Sequence, residues 1–388
     1  MQQRSSHGYS RDRGVGNGCL EQRSSDKVLR LNAISPSTFD DAMTVSDNIH
    51  PATGLRHGSF GIGTFSDGNR CFAALVKPDG RVMDLSSRFR DTHQIFDDWQ
   101  RNFDALVDLD ARADAAQHDF AALRSLPPLA HPNMLCAGSN YKTHVAQMLT
   151  KNKFNQHNRL PGESDENFFK RNYAFMERRA REGTPFFWTG LHSSLVGANE
   201  DVVLPVLGEQ PDWELELGVV VGRHQRYASV DEAQGLIAGY VMVNDLGTVD
   251  IFRRTDVHFG YDWIGKHQPT FKPAGPFIVP AAFIPSIDEI RIELKVNGKP
   301  MQDWPANDMI FTPAQYLAYA SERVNLVPGD LLIMGSPPGN GAHHGRFLQD
   351  GDVIESTVTY LGRQRNRCVK EMASERPLAF GLWKNLMN

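Results

Sequence analysis

Hydrophobic residues alternate with polar ones in many short runs, and this pattern predicts an α+β protein in which strands predominate. Some runs, such as Val219–Val221, are apolar on both sides and predict strands covered on both faces. Apolar residues spaced three or four apart predict helices. The predicted strands are 60–65, 71–76, 81–85, 133–137, 212–221, 238–245, 275–280, 290–296 and 331–334. The predicted helices are 95–123, 142–148, 164–183 and 312–324.

The same pattern divides the chain into segments. Residues 1–57 are polar and lack sustained periodicity, so we predict a disordered tail, or a true translation start nearer Met43. Residues 58–128 predict a small β-rich N-terminal domain, and residues 129–388 predict the main domain. The main domain carries a charged insertion at 149–184, whose helix after Ser164 is either a packed surface helix or a lid.

Composition narrows the class of protein. The 388 residues carry a formal net charge of −5, which gives no basic footprint for nucleic acid. No apolar run is long enough to span a bilayer, and Met1 begins no signal-peptide pattern. The four cysteines lack metal or redox spacing, and Cys71 and Cys136 are interpreted as small buried hydrophobic residues. We therefore predict a soluble cytoplasmic protein without nucleic-acid or membrane partners.

The most informative stretch runs from Pro211 to Lys266. Glu214 and Glu216 are two residues apart in a strand pattern, so both carboxylates point to the same face. Asp245 ends the next predicted strand. Neighbouring carboxylates near a core repel each other and lose hydration, and a hard cation such as Mg²⁺ or Mn²⁺ removes that cost. The alternative is that the glutamates form the solvated face of an edge strand.

Two glycine turns supply further candidates. His144 lies one turn into the helix after Gly138–Tyr141, where it can face a cleft, although a lone histidine is more often structural or solvated. The loop Gly335–Gly341 follows a predicted strand, and its N–H groups and the Ser336 hydroxyl suit a carboxylate. The adjacent histidines His343-His344 are expected to be solvated.

In order along residues 60–369, these motifs resemble the fumarylacetoacetate hydrolase family. Each motif is short, and their order over most of the chain makes the resemblance specific. The motifs are G-S-N-Y-x-x-H ending at His144, S-x-L-V-G ending at Gly197, D-W-E-L-E-L at Asp212–Leu217, G-Y-x-x-x-N-D ending at Asp245, G-K at Lys266, G-P-F-I-V from Gly275 and G-S-P-P-G-N-G from Gly335.

The resemblance implies a mixed β-roll or sandwich catalytic domain behind a small N-terminal domain, usually as a homodimer. It also implies one Mg²⁺ or Mn²⁺ ion per chain on Glu214, Glu216 and Asp245. In that family a 2-oxo acid substrate chelates the metal. Lys266 matches the lysine that neutralises developing enolate charge, and His144 matches a histidine that acts as the base together with a carboxylate. The substrate-binding residues predicted on this basis are Tyr141, Gly335 and Ser336.

The implied reaction is hydrolysis of a C–C bond in an acylpyruvate-like 2-oxo acid, through a metal-bound enolate, in aromatic-compound catabolism. Three departures qualify it: Gln147 replaces a common Glu, Phe187-Trp188-Thr189 replaces F-L-K, and Gly247–Asp250 replaces S-A-R-D. Isomerisation or decarboxylation of a related acid, or a catalytically weak binding protein of the same fold, therefore stays open.

The departure at Gln147 bears directly on the predicted base. Gln147 cannot accept a proton, so His144 is expected to act alone or with an acid from the insertion. Acting alone, it would have a pKa near the ordinary value of about 6.5. The acids that cluster in the insertion are Glu163, Asp165 and Glu166.

Overall fold

The computed structural model describes residues 48–112, 116–151, 153–254, 256, 260–372 and 378–381. It confirms the α+β class with strands predominating. The strands are β1 (Gly61–Ser66), β2 (Cys71–Val76), β3 (Arg81–Asp84), β4 (His118–Asp119), β5 (Arg124–Leu126), β6 (Met134–Ala137), β7 (Phe187–Gly190), β8 (Leu195–Val196), β9 (Val202–Leu204), β10 (Pro211–Asp212), β11 (Leu215–Val221), β12 (Ile237–Asn244), β13 (Gly247–Thr248), β14 (Lys272–Pro273), β15 (Val279–Pro280), β16 (Arg291–Val296), β17 (Lys299–Pro305), β18 (Leu331–Ile333), β19 (Val353–Val358) and β20 (Arg363–Lys370). The helices are α1 (Thr92–Asp97), α2 (Trp99–Asp110), α3 (Lys142–Lys151), α4 (Asp165–Glu182), α5 (Val230–Gln234), α6 (Val249–Phe252), α7 (Pro313–Ser321) and α8 (Gly341–His344).

The N-terminal part of the chain builds the first sheet, with strand order β4-β3-β2-β1-β5. Strands β1, β2 and β3 pair antiparallel, close to the predicted positions. The predicted helix through Leu123 is wrong beyond Asp110, because β4 pairs there with the edge of β3. Pairing the backbone groups of that edge outweighs the local helical spacing.

Residues 48–57 form an ordered turn. Ile49 and Arg56 form an antiparallel bridge, Leu55 is fully buried, and the Thr53 hydroxyl donates to Pro78 O at 2.7 Å. The predicted disordered tail is therefore wrong for these residues, and residues 1–47 lie outside the described part of the chain. The domain boundary near residue 128 stays a prediction.

The second sheet holds the acidic stretch. Its order is β15-β12-β11-β18-β6-β7, and every residue of β11 and β12 is buried. Burial on both faces explains the nearly continuous apolar sequence of these strands. In the β11–β12 register Leu215 lies opposite Asn244, and Asp245 N–H donates to Glu214 O at 2.7 Å. The sheet therefore brings the two predicted acidic strand ends together.

The third sheet has the order β17-β16-β19-β20-β9. Its first hairpin turns at Asn297-Gly298, as predicted, with positive φ angles of 53° and 75°. Before the strand β18, α7 begins at a capping box between Thr312 and Gln315, and it buries Tyr316 on its inner side, as predicted.

The insertion at 149–184 is mostly helical. Ser164 caps α4 by accepting from Asn167 N–H at 3.2 Å, and Gly183 ends it, as predicted. Its buried residues are Phe168, Asn172 and Met176 instead of the expected stripe through Phe169, Tyr173, Met176 and Ala180. Asn172 Nδ2 donates to Thr150 Oγ1 of α3 at 3.1 Å. The helix is thus packed on α3, and its role as a lid stays a prediction.

The cysteines fall into two kinds. Cys136 and Cys368 are buried free thiols, whereas Cys71 is disulfide-bonded and half-buried. The expectation of a small buried thiol is confirmed for Cys136 and wrong for Cys71. Among the helices of the described ranges, none is long and apolar enough to cross a membrane.

Candidate active site

The three predicted metal ligands meet at one end of β11 and β12. Glu214 precedes β11, Glu216 is its second residue, and Asp245 follows β12. Carboxylate oxygens from the three residues lie within 4.8 Å of one another. Glu216 is 2% exposed, and β11 lies between β12 and β18. The alternative of a solvated edge strand is therefore wrong. We call Glu214, Glu216 and Asp245 the carboxylate cluster.

Two buried lysines contact the carboxylate cluster. Lys266 Nζ lies 2.5 Å from Glu214 Oε2 and 3.1 Å from Asp245 Oδ2. Lys272 Nζ lies 2.5 Å from Asp245 Oδ1, and its side chain is fully buried. Lys266 was expected from the sequence, and Lys272 was missed. A lysine within the apolar segment around Phe271 was the available signal.

Burial and repulsion determine the electrostatics of the cluster. Burial raises the pKa of Glu216 well above its usual value, and the charges of Asp245 and Glu214 raise it further. Burial also raises the pKa of Glu214, against the opposing charge of Lys266. Burial acts to raise the pKa of Asp245, but Lys266 and Lys272 outweigh it and hold that pKa below the usual value. The two lysines therefore compensate the cluster only in part.

The donor set fits a hard divalent cation. The cluster offers carboxylate oxygens, which Mg²⁺ and Mn²⁺ prefer. Asp245 Oδ1 has its ion pair with Lys272, yet no aligned hydrogen-bond donor among the described residues reaches it. Buried acceptors without donors cost free energy, and a cation would satisfy this oxygen.

Glycine at position 247 gives Lys266 its path to the cluster. A Cβ atom at Gly247 would lie 2.7 Å from Lys266 Cε, closer than carbon atoms pack. Lys266 itself ends the short 3₁₀ turn Trp263–Lys266, where the Asp262 side chain accepts from Ile264 N–H. The sequence around the cluster thus places the ammonium group between Glu214 and Asp245.

The glycine-rich loop after β18 is used differently from the prediction. Gly335 N–H donates to Glu216 Oε2 at 2.5 Å, so it orients a cluster carboxylate instead of offering a free donor to a substrate. The Ser336 hydroxyl accepts from Gln302 Nε2 at 3.1 Å and donates to Pro337 O at 3.1 Å. Both groups brace the loop, so neither is free to bind a substrate in this conformation.

Tyr141 is the predicted substrate-binding residue that keeps a free polar group. It is fully buried, and its hydroxyl has no hydrogen-bond partner within the described ranges. Burial and the charges of Glu216 and Asp308 raise the pKa of Tyr141 well above its usual value. The hydroxyl therefore stays protonated and can donate to an anionic oxygen.

His144 is buried on α3 and is not solvated. Burial and the positive charges of His343, Arg253 and Lys266 lower its pKa to about 4. The expectation of an ordinary pKa near 6.5 is therefore wrong, because charging this imidazole is opposed by burial and by cations. The positive charge of Lys266 lowers both the pKa of His144 and the pKa of Glu216.

The acids that were expected to assist His144 are engaged elsewhere. Glu163 pairs with Arg171 at 2.7 Å, Glu166 pairs with Lys170 at 2.6 Å, and Asp165 pairs with Arg159. Gln147 Oε1 is buried and accepts no hydrogen bond from any residue that the structure describes. The base side of the site therefore lacks a carboxylate partner from the insertion.

Asp308 anchors α3 and was missed in the sequence. Its Oδ2 accepts from Thr143 N–H at 3.1 Å and from Trp304 Nε1–H at 2.9 Å. A carboxylate that accepts from an N–H of the first turn satisfies a free donor at the start of the helix and complements the helix dipole. Asp308 lies 165 residues from Thr143 along the chain, so no local pattern pointed to it.

Comparisons with known proteins agree with this geometry. The family model described as fumarylacetoacetate (FAA) hydrolase C-terminal matches residues 133–369, a range that contains the carboxylate cluster, both lysines and His144. Fumarylacetoacetate hydrolase from psychrophilic Exiguobacterium antarcticum superposes with a TM-score of 0.63 at 24% identity. That superposition covers 81% of this chain and 100% of the other, and it confirms the predicted fold.

Two relatives with named activities show different reactions. A 2,4-didehydro-3-deoxy-L-rhamnonate hydrolase of Sphingomonas sp. (strain SKA58) is 41% identical over 187 residues, which are 47% of this chain and 64% of that protein. The mitochondrial oxaloacetate tautomerase FAHD2B of Homo sapiens is 32% identical over 188 residues, which are 48% of this chain and 59% of that protein. The chain thus spans less than two thirds of each of these relatives.

Proposed function

Since the chain belongs to the fumarylacetoacetate hydrolase family, we propose that it is a divalent-metal-dependent enzyme acting on a 2-oxo acid. The reaction that we propose first is hydrolysis of a C–C bond in an acylpyruvate-like acid. The observation that carries the proposal is the buried carboxylate cluster with Lys266 beside it. Glu216 and Asp245 are buried and Glu214 is half-buried, and bringing these carboxylates together costs free energy that a site serving only to pack the fold would avoid.

We propose that Glu214, Glu216 and Asp245 hold one Mg²⁺ or Mn²⁺ ion. When bound, such a cation acts as a Lewis acid toward the oxygens of the substrate. Gly335 N–H orients Glu216 through the hydrogen bond described above. Ligands that are oriented in this way need little rearrangement when the cation arrives.

Lys266 supplies a fixed positive charge for the reaction. Breaking a C–C bond between two carbonyl groups leaves an electron pair that must be stabilised as an enolate. Burial lowers the pKa of Lys266, but Asp245 and Glu214 outweigh burial and raise it above the ordinary value, so the ammonium stays charged. A preorganised charge of this kind stabilises negative charge as it develops.

His144 and Tyr141 complete the proposed chemistry. The neutral imidazole of His144 accepts a proton from water at a ring nitrogen. The water oxygen then bonds to the acyl carbon, the C–C bond breaks, and the released enolate takes up at carbon the proton that His144 had accepted, which returns the imidazole to its neutral form. The free hydroxyl of Tyr141 donates a hydrogen bond to the anionic substrate. The rhamnonate hydrolase relative supports hydrolysis as the reaction type.

Enol–keto isomerisation is the second candidate, with decarboxylation beside it. Gln147 is the observation that favours them, because it supplies no charge to raise the basicity of His144 for attack by water. Moving a proton on a 2-oxo acid needs an enolate-stabilising cation and one base, without activated water. The tautomerase relative supports this alternative. The remaining candidate, a binding protein with little turnover, would need the cation site but not the base.

A substrate panel tests these alternatives. Metal-stripped protein would be supplied with Mg²⁺ or Mn²⁺ and with an acylpyruvate, oxaloacetate or a 2-oxo-3-deoxy sugar acid. We expect metal-dependent release of pyruvate and a carboxylic acid from the acylpyruvate. Enol–keto conversion of oxaloacetate without cleavage of any acid would favour isomerisation. Cation binding without turnover of any acid would favour the binding protein.

The remaining parts of the proposal concern the setting of the enzyme. We propose a homodimer that takes part in aromatic-compound catabolism. Light scattering on the purified protein tests whether it is a dimer. Growth of a deletion strain on aromatic carbon sources tests its part in aromatic-compound catabolism.

A further inference from the structure

Lys272 is the buried charge that the proposed chemistry leaves without a role of its own. Its Nζ contacts three oxygens: Asp245 Oδ1 at 2.5 Å, Lys266 O at 2.5 Å and Leu246 O at 3.3 Å. The two contacts with carbonyl oxygens are hydrogen bonds, and the contact with Asp245 Oδ1 is the ion pair described above. The Trp188 ring lies 5.7 Å from Nζ and covers it on another side. Lys272 is therefore held in one place and away from water.

Packing alone does not explain a lysine at this position. Its neighbours Phe271 and Ala274 are buried and apolar, and an apolar side chain would fill the same space without the cost of burying a charge. Lys272 contacts the carbonyl oxygens of Leu246 and Lys266. Leu246 follows Asp245 in the sequence, and Lys266 is the other lysine that pairs with the carboxylate cluster. The lysine is thus directed at the site.

The charges of the site indicate what Lys272 does there. With all three carboxylates ionised, as ligands of a cation would be, their charges and those of the two ammonium groups sum to one net negative charge. A divalent cation turns this into one net positive charge. Without Lys272 the loaded site would be neutral. At an effective dielectric constant of about 20, two unit charges about 4 Å apart still interact by several times the thermal energy, so the charge of Lys272 affects the binding of a nearby anion.

We propose that Lys272 is a specificity-determining residue, which gives the loaded site the positive charge that retains an anionic 2-oxo acid. It acts through the charge of the site and through Asp245, because Trp188 and the carbonyl oxygens surround its ammonium. This inference rests on the proposed function, since it requires a divalent cation on the carboxylate cluster. It predicts that Lys272 disfavours the cation and favours the substrate anion.

The test uses Lys272→Met, which removes the charge and keeps an unbranched side chain. Mn²⁺ affinity would be measured by calorimetry, and pyruvate affinity by titration of the Mn²⁺-loaded protein. We expect Mn²⁺ to bind equally or more tightly and pyruvate to bind roughly tenfold more weakly or worse. A lysine that only supports the fold would lower both affinities together. Unchanged pyruvate affinity, or a joint loss, would overturn the proposal.

A matched control and a second variant keep the result interpretable. Lys77 is also buried and pairs with Asp110 at 3.1 Å in the N-terminal part of the chain, so Lys77→Met should alter neither affinity. If Lys272→Met does not fold, Lys272→Gln gives the same comparison with a neutral donor. Failure of both to fold, beside a folded Lys77→Met, would assign Lys272 to stability and refute the proposal. If the parent protein binds no Mn²⁺, the proposed function itself fails.

Discussion

The two sides of the candidate site differ in how they hold charge. On the strand side, the carboxylate cluster is joined to Lys266 and Lys272 by ion pairs of 2.5 to 3.1 Å. On the helix side, His144 of α3 is neutral, and the charged groups that act on it are cations. The nearby Gln147 has an amide oxygen that accepts no hydrogen bond from the described residues. The strand side therefore holds several ion-paired charged groups, whereas His144 on the helix side is neutral and has no carboxylate partner from the insertion.

This difference separates the two questions that the family raises. In the proposed function, the strand side provides what every enolate reaction on a 2-oxo acid needs, namely a cation site and a fixed positive charge. In the same proposal, the helix side determines whether the base deprotonates a water molecule, as hydrolysis requires, or moves only a carbon-bound proton, as isomerisation requires. Membership of the family therefore supports the proposed cation site on the strand side. Whether the reaction is hydrolysis, isomerisation or decarboxylation depends on α3 and the residues around it. Experiments on the two sides should give distinct results.

On the strand side, the largest expected effect is on cation binding in Glu216→Gln. This change removes a ligand whose carboxylate Gly335 N–H already orients, so calorimetry should show Mn²⁺ affinity lower by about 100-fold or more. The metal-free protein should keep or gain thermal stability, because the variant relieves repulsion from Asp245 and Glu214. The control Glu232→Gln alters an exposed residue in the capping box of α5 and should leave Mn²⁺ affinity unchanged. Parent-like binding in Glu216→Gln would move the cation elsewhere.

On the helix side, His144→Ala should lower kcat by roughly 10² to 10⁴ while Mn²⁺ affinity stays close to the parent value. The reason is that His144 is the base in the proposed reaction but contributes no charge to the cluster. Steady-state kinetics and calorimetry on the same preparation measure both quantities. The control His118→Ala changes a histidine stacked on Phe72 in the first sheet, and its kinetics should match the parent. Full activity in His144→Ala would place the base elsewhere.

A smaller effect is expected when Gln147→Glu supplies the missing charge. A carboxylate three residues after His144 lies on the same side of α3, so it should raise the pKa of the imidazole from about 4 toward the ordinary value of about 6.5. The rate falls as pH drops through that pKa, because a protonated imidazole cannot act as a base. The acid limb of the pH–rate profile should therefore move upward, with faster hydrolysis near neutral pH.

The exposed Gln100 of α2 provides the control for this profile. Gln100→Glu adds the same charge away from the site and should leave the acid limb in place. If Gln147→Glu instead abolishes isomerisation or decarboxylation while adding hydrolysis, the parent enzyme is the non-hydrolytic type. An acid limb that does not move would show that position 147 has no influence on the base.

The sequence was most informative where chemistry follows a local period. Glu214 and Glu216 share a face because side chains alternate along a strand, and Asp245 joins them because consecutive strands often pair. Order along the chain added Lys266 and His144 through the family resemblance. These predictions needed no knowledge of distant contacts. The end of β11 at Val221 was predicted correctly and both ends of β12 were predicted to within one residue, whereas β11 begins at Leu215 instead of Asp212.

The residues that were missed depend on contacts between distant segments. Lys272 reaches the cluster because β14 pairs in parallel with β8, where Lys272 lies opposite Leu195. The helix predicted through Leu123 failed because the edge of β3 recruits β4. The pKa of His144 depends on Arg253 and His343, which come from two other segments. No periodicity in the sequence records such contacts, so the helix side of the site was the less predictable one.

The smallest expected effect tests how firmly the helix side is held. Asp308 accepts hydrogen bonds from Thr143 N–H and from Trp304 Nε1–H. Asp308→Ala should therefore lower the free energy of unfolding by about 1 to 2 kcal/mol, the usual cost of losing a helix cap. Because α3 carries His144, kcat should also fall severalfold while Mn²⁺ affinity is kept.

The control for Asp308→Ala is a cap that is lost elsewhere. Ser229 caps α5 by accepting from Glu232 N–H at 3.2 Å, so Ser229→Ala should cost a similar free energy of unfolding without changing kcat. Denaturant titration and kinetics on the two variants separate general stability from the position of α3. If both variants lose kcat equally, the loss reflects stability alone. If only Asp308→Ala lowers kcat, then the position of His144 on the helix side depends on the carboxylate of Asp308, which is distant in sequence.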